Sequence, residues 1–298
     1  MSELKVGIVT KEWPPAIYGG AGVHVLQLTQ ALRTIKDVHV DVHCFGGKRN
    51  DAFGYETPSE FTSSNPAVQA IATDLEIATN LSNVDLVHSH TWYANMAGHF
   101  ASLQYSIPHI VSAHSLEPLR PWKAEQLGGG YAISSWAEKT AYEGAAAIIA
   151  VSDGMRADVL AAYPSVDPSK VVTIRNGVDT SKFAPNNDAS VPAFLCPSVY
   201  EPLGIVNLEA MGCETAVLAS RVGGIPEVVA HQVSGELVDY NGDGPAFEAS
   251  FSESITRLMS QPELLKKYGT AGRVRAMSEF GWEAVAAATI ALYRRVIA

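Results

Sequence analysis

The sequence predicts an α/β protein, a doubly wound parallel sheet followed by a second, smaller α/β set. Short apolar, β-branched runs alternate with helix-patterned segments, which is how βαβ units read when they feed a parallel sheet. At 298 residues, 47% of them apolar, the chain is long enough for two cores. A turn-forming stretch, Arg175-Asn176-Gly177-Val178-Asp179, closes the first alternation well before the chain ends.

Strands of the first set are expected at 6–9, 38–44, 85–88, 109–112, 147–151 and 171–174, with helices between them. The division between domains is placed at 178/179, giving 1–178 and 179–298, just ahead of the polar run 185–190. Beyond it, strands are expected near 193–196, 216–219 and 235–238, and helices near 204–211, 245–260 and 282–297. Ligands of doubly wound sheets bind beyond the carboxyl ends of the strands, so function is sought in the residues that follow each strand.

Composition removes several classes. The formal net charge is -10 and the 21 basic residues are scattered, so no basic stripe exists for nucleic acid or an anionic membrane. No apolar run reaches the length of a bilayer span, and Met1-Ser2-Glu3 leads straight into an apolar strand; a cytoplasmic protein is expected. Cys44, Cys196 and Cys213 are odd in number and widely spaced, which argues against a disulfide framework and a thiolate zinc site. His39, Asp41 and His43 share one face of a strand and could be drawn as a metal site, but polar residues at strand ends account for them more simply. No D-x-D occurs, so the carboxylate clamp that holds a divalent ion on a nucleotide diphosphate is lacking. Chemistry without metal or other cofactor is expected, with helix N-termini and basic side chains stabilising the leaving group.

Three constellations follow strands of the first half. After the first stands T-K-E-W-P-P-A-I-Y-G-G-A-G-V-H-V, where Gly19 and Gly20 precede a helix; glycines at such a turn let backbone N–H groups approach an anion. The pattern is not G-x-G-x-x-G, and a plain flexible turn competes with this reading. The third strand ends in D-L-V-H-S-H-T-W, where alternation puts His88 and His90 on one side; His90 is the better candidate for ligand contact, against a structural role at the strand edge. The next ends in V-S-A-H-S-L-E-P-L-R-P-W-K, placing His114 where a neutral imidazole can hydrogen-bond a sugar hydroxyl. Tyr93, Trp122, Tyr131 and Trp136 are suited either to sugar stacking or to the core.

In the second half Glu201 and Glu209 bracket E-P-L-G-I-V-N-L-E, the first on a loop after a strand and the second inside a helix. A sugar nucleotide carries hydroxyls on the hexose and on the ribose, and carboxylates accept from hydroxyls. Pro202 suits the first turn of that helix, and Leu203-Gly204 is a close backbone approach suited to phosphate. Two carboxylates at this spacing are also ordinary on an acidic helix surface.

The whole run C-P-S-V-Y-E-P-L-G-I-V-N-L-E-A-M-G-C-E-T-A-V-L-A-S-R-V-G-G-I-P-E-V-V resembles, in order and spacing, the retaining two-domain (GT-B) glycosyltransferases of family 4, of the bacterial glycogen synthase and maltose-1-phosphate synthase kind. The string through Trp136-Ala137-Glu138-Lys139-Thr140-Ala141 and the glycine loop continue the resemblance. It implies two Rossmann-like domains and transfer of glucose from ADP- or UDP-glucose to an α-glucan or to glucose 1-phosphate. It implies roles as well: Lys11, Gly19 and Gly20 at the donor diphosphate, His114 and Glu201 at the donor hexose, Glu209 at the ribose and His90 near the acceptor. Thr91 stands where H-x-H-D-W has Asp.

The resemblance breaks at the start of the second domain. Family members carry there a G-R-x-x-x-Q-K-G-like segment whose Arg and Lys grip the diphosphate; here R-N-G-V-D-T-S-K-F-A-P leads almost directly to P-A-F-L-C-P-S. Roughly a hundred residues, two or three βα units, are missing relative to the family. A truncated second sheet with exposed edges and impaired transfer are expected, with Arg175, Lys182 or Arg221 as the available cations. Two rivals remain: a remnant that binds glucan or a partner without catalysis, and a related transferase with a small-alcohol acceptor such as an inositol phosphate.

Overall fold

A computed structural model describes residues 3–185 and 191–298, so most of the polar run 185–190 lies outside the described residues. The strands are β1 (Leu4–Thr10), β2 (Val38–Phe45), β3 (Phe53–Tyr55), β4 (Leu86–His90), β5 (His109–Ala113), β6 (Ala147–Ala150), β7 (Val171–Thr173), β8 (Ala193–Cys196), β9 (Ala216–Arg221) and β10 (Gly235–Asp239). The helices are α1 (Gly20–Arg33), α2 (Pro66–Thr79), α3 (Trp92–Tyr105), α4 (Lys123–Leu127), α5 (Gly130–Gly144), α6 (Asp153–Ala162), α7 (Ile205–Gly212), α8 (Ile225–Val228), α9 (Gly244–Met259), α10 (Pro262–Glu279) and α11 (Trp282–Ile297).

Two compact units result. The first holds residues 1–150, 156–174 and 286–298, the second 151–155 and 175–285. In the first, the described strands form one parallel sheet in the order β3-β2-β1-β4-β5-β6-β7. The order reverses direction at β1 and β4, and in such sheets the reversal opens the ligand crevice beyond the strands' carboxyl ends. The residues of β4, β5 and β6 are all buried, as expected of strands covered on both faces, and each buried Ile, Val or Leu contributes about 1.5–3 kcal/mol. Helix α2 starts where the backbone N–H of Ala67 donates to Oδ1 of Asn65 at 2.9 Å, with Pro66 in the first turn.

The second unit is built on three described strands in the order β10-β9-β8, all parallel. Helices α9 and α10 cover one face, burying Phe247, Phe251, Leu258, Leu265 and Tyr268 against Ala216, Leu218 and Val238. Strand β8 is the edge, and Leu195 on it is 44% exposed, with Val191 63% and Val199 60% exposed at its ends. This is the apolar surface expected of a sheet that ends where further strands would pair.

Strand positions agree with the sequence to within two residues at most ends. The short edge strand β3 and helices α8 and α10 had no counterpart among the expectations; α10 is polar and Lys/Glu-rich at its start, so its apolar stripe is thin. Helix α7 begins at Ile205 with Gly204 as its cap, so Pro202 lies ahead of the helix rather than in its first turn.

Candidate functional site

The first unit gathers three imidazoles at adjoining strand ends. His90 closes β4, His114 follows β5, and His24 lies one turn into α1 after the glycine loop. Nδ1 of His90 and Nε2 of His114 share a hydrogen bond at 3.0 Å. The His24 ring centroid lies 4.8 Å from that of His114 and 5.6 Å from that of His90. His90 is fully buried and its Nε2 has no hydrogen-bond partner, whereas His114 is partly exposed. Burial, ahead of the neighbouring imidazoles, holds His90 well below the usual histidine range, and burial pushes His114 down to about 4. Both are neutral at neutral pH, the state in which one nitrogen donates and the other accepts. His88, on the same face of β4 as expected, is structural: Nδ1 bonds the Tyr293 hydroxyl at 2.6 Å and Nε2 the Ser112 hydroxyl at 2.8 Å.

The loop after His114 is fixed from below by a buried polar network. The N–H of Glu117 donates to Oε1 of Glu138 at 2.8 Å, which also accepts from the Tyr163 hydroxyl at 2.5 Å. Ser134 donates to Oε2 of Glu117 at 2.7 Å, and the Tyr131 hydroxyl donates to the Glu117 carbonyl at 2.8 Å. Burial pushes the Glu138 carboxyl up to about 8. Tyr131 therefore serves the loop, while Trp122 and Trp136 keep large exposed faces.

At the glycine loop the backbone N–H groups of Tyr18 and Gly19 both donate to Oε2 of Glu12, at 2.9 and 2.8 Å. The amide expected to face phosphate is thus held by an internal carboxylate. Lys11 places its ammonium 3.6 Å from the centroid of Tyr93, and burial lowers its pKa, with the Glu12 charge pulling the other way. Thr91, between His90 and α3, has φ 66° and ψ 158°, a region sparsely used by non-glycine residues and enriched at functional sites.

The second unit carries the paired carboxylates. Glu201 is partly buried; burial raises its pKa, and hydrogen bonds from the backbone of Gly204 and Leu203 oppose the rise. Gly204, at φ 95°, gives the left-handed turn into α7, and Asn207 behind it is fully buried with neither amide atom hydrogen-bonded. Glu209 lies in α7, partly buried; burial raises its pKa and the Lys182 charge counteracts it. The V-G-G-I-P loop cradles Glu201: the Gly224 N–H donates to the Glu201 carbonyl at 3.0 Å, and a Cβ on Gly223 (φ 51°) would stand 2.0 Å from that oxygen. We expect Gly223→Ala to cost about 3 kcal/mol, from strain plus overlap, measured by denaturant unfolding. Parent-like stability would show that the loop yields freely.

The cations considered for the diphosphate have other engagements. Arg175 reaches Asp153 and Glu227, each at 2.7 Å, and Arg221 pairs with Asp239 at 2.6 Å. The ammonium of Lys182 lies 5.1 Å from the Phe183 ring centroid. Nε2 of His39 pairs with Oδ1 of Asp41 at 3.1 Å, while His43 is buried against the Tyr55 hydroxyl at 2.8 Å. Sequence reasoning passed over His24, Glu12 and Glu138, although all three stand inside strings singled out above; spacing alone gave no reason to choose them from their neighbours.

Two α/β units built on parallel sheets, with polar constellations at their strand ends, are the frame of a two-domain glycosyltransferase, and the chain belongs to glycosyltransferase family 4. Residues 18–182 match the family described as Glycosyltransferase Family 4, and residues 189–275 match Glycosyl transferases group 1. It is an enzyme of the hexosyltransferase class with the GT-B fold. The chain is 40% identical to the alpha-maltose-1-phosphate synthase of Mycolicibacterium smegmatis over 389 positions, covering 99% of this chain and 100% of the relative. That alignment is 91 positions longer than the chain (389 against 298), so the second domain is truncated relative to it. Among solved structures, sucrose-phosphate synthase from Thermosynechococcus elongatus superposes with TM-score 0.81 at 18% identity, over 98% of this chain and 99% of that one. The catalytic domain of starch synthase IV from Arabidopsis thaliana, bound to ADP and acarbose, gives 0.70 at 13% identity over 100% of both chains. No helix among the described residues is long and apolar enough to cross a membrane.

Proposed function

We propose that this chain is a retaining glucosyltransferase that takes glucose from ADP- or UDP-glucose and passes it to an α-glucan or to glucose 1-phosphate. The observation that carries this reading is the Glu201–Glu209 pair: a partly buried carboxylate pinned at the mouth of α7 and a second one inside it, within a chain 40% identical end to end to an alpha-maltose-1-phosphate synthase. Residues 1–178 form the acceptor side and 179–298 the donor side. His114 and Glu201 meet the donor hexose, Glu209 the ribose hydroxyls, and Lys11, Gly19, Gly20, Leu203 and Gly204 the diphosphate. His90, buried behind His114, serves the acceptor side through it.

The neutral His114 accepts a hydrogen bond from a sugar hydroxyl beside the reacting carbon, which stabilises the positive charge that develops on the sugar as the bond to the diphosphate breaks. In retaining transfer without a covalent nucleophile, the departing phosphate takes the acceptor's proton, so no side chain is required as general base. The transfer proceeds without a metal or other cofactor, and its site of action is the cytoplasm.

Replacing Glu209 by Ala removes one or two charge-assisted hydrogen bonds to the ribose and should weaken ADP or UDP binding by about 1.5–3 kcal/mol. Calorimetry with both nucleotides is the check; affinity equal to the parent's would leave Glu209 a helix-surface residue. A second reading, a glucan- or partner-binding module without transfer, is favoured by the ion pairs that occupy Arg175 and Arg221. Measurable glucan binding with no turnover would select it.

A further inference from the structure

His24, His90 and His114 do more than line a sugar site. Each offers a ring nitrogen, and these nitrogens all lie within 4.8 Å of one another. Three imidazoles on a tetrahedral ion with metal–nitrogen bonds of ~2.0 Å place their nitrogens about 3.3 Å apart. The 3.0 Å between Nδ1 of His90 and Nε2 of His114 is close to that, and ring centroids 4.8, 5.3 and 5.6 Å apart leave the third nitrogen a small movement away. Among the described residues this is the one group of histidines, cysteines and carboxylates so arranged. It stands on three separate elements, α1, β4 and the loop after β5, so sequence neighbours do not create it by chance.

We propose that His24, His90 and His114 form a binding site for one divalent transition ion of the zinc, copper or cobalt class, and that its occupancy inhibits the enzyme. The donor set is all imidazole, which suits zinc, copper, nickel and cobalt and not magnesium or calcium, whose sites are built from oxygen. His24 and His90 are buried, so water has little access to compete for an ion held between the rings. One proton lies between Nδ1 of His90 and Nε2 of His114, and coordination by both moves it to another ring nitrogen. With three protein ligands the fourth position stays open. The inhibitory half rests on the proposed role of His114: with Nε2 on the ion the ring carries its proton on Nδ1 and no longer accepts from a sugar hydroxyl.

The test is titration of the full 298-residue chain with cobalt(II), followed by visible absorption, and competition by zinc. One equivalent should bind with the strong bands of a low-coordinate ion, and magnesium or calcium should not displace it. Because even outer-shell partners are worth 10–100-fold in metal affinity, loss of a direct ligand in His24→Gln should weaken binding at least ~10-fold. His24→Cys keeps a ligand and should add a thiolate-to-cobalt charge-transfer band, which answers the question if His24→Gln fails to fold. Absence of saturable binding, parent-like affinity in His24→Gln, or a folded His24→Cys without the new band overturns the site. Zinc should suppress transfer in the same concentration range and a chelator should restore it; transfer unaffected at full occupancy overturns the inhibition. A chain without any transfer counts against the functional reading, and the cobalt titration then decides the site on its own.

Discussion

Restoring the absent G-R-x-x-x-Q-K-G segment to the start of the second domain should raise glucosyl transfer by at least ~10²-fold, about 3 kcal/mol of transition-state stabilisation. The segment's Arg and Lys act on charge that develops as the diphosphate departs, so its loss falls on turnover more than on ground-state binding. Arg175, Arg221 and Lys182 are not placed to take over without giving something up. Arg175 holds two carboxylates, Arg221 holds Asp239, and the Lys182 charge acts on Glu209. The comparison is a transfer assay with ADP-glucose and UDP-glucose on the short and restored chains, offering a glucan and glucose 1-phosphate. Equal turnover would mean that one of those three residues leaves its partner and serves the phosphate.

His114→Ala should lower kcat by about 10²-fold while leaving the dissociation constant of free ADP near the parent's, because the proposed place of the imidazole is the hexose end of the donor. The two readouts separate its roles. His114 also bonds His90, so a purely structural contribution would lower the melting temperature and leave the specific activity of the folded fraction unchanged. Equal loss of turnover and nucleotide affinity would place the ring at the diphosphate instead. His114→Asn, which keeps a neutral acceptor, should recover part of the lost rate.

What the sequence revealed follows from what periodicity and spacing encode. Strands β1, β4, β5 and β6 are buried on both faces, so their continuous apolar runs declare them, and the ends of those runs pointed to His88, His90 and His114. The missing units were legible as an absent string, and the three-stranded second sheet with its exposed β8 edge agrees with that. Three-dimensional convergence was not legible. His24 meets His90 and His114 only because α1, β4 and β5 come together at the sheet's reversal, 24 or more residues apart in the chain. Alternation puts His88 and His90 on one side alike, and the hydroxyls of Ser112 and of Tyr293, brought from α11, are what make His88 structural. Helix α10 escaped because its polar beginning gives a weak helical period, while its close packing against β9 is a tertiary matter.

The glycine loop and the mouth of α7 share a feature with a consequence for selectivity. In each, the amides suited to an anion already donate to a carboxylate of the same chain, Glu12 in one case and Glu201 in the other. A tethered carboxylate competes at an effective concentration of about millimolar or more, so a dilute monoanion gains nothing by exchanging places with it. A diphosphate brings several charges and competes better than chloride or acetate. On the proposed assignment, a diphosphate that took the amides of Leu203 and Gly204 would also release Glu201. The loop would then work as an exchange lock: arrival of the phosphates would free the carboxylate for the hexose, and a sugar without its nucleotide would find that carboxylate still engaged.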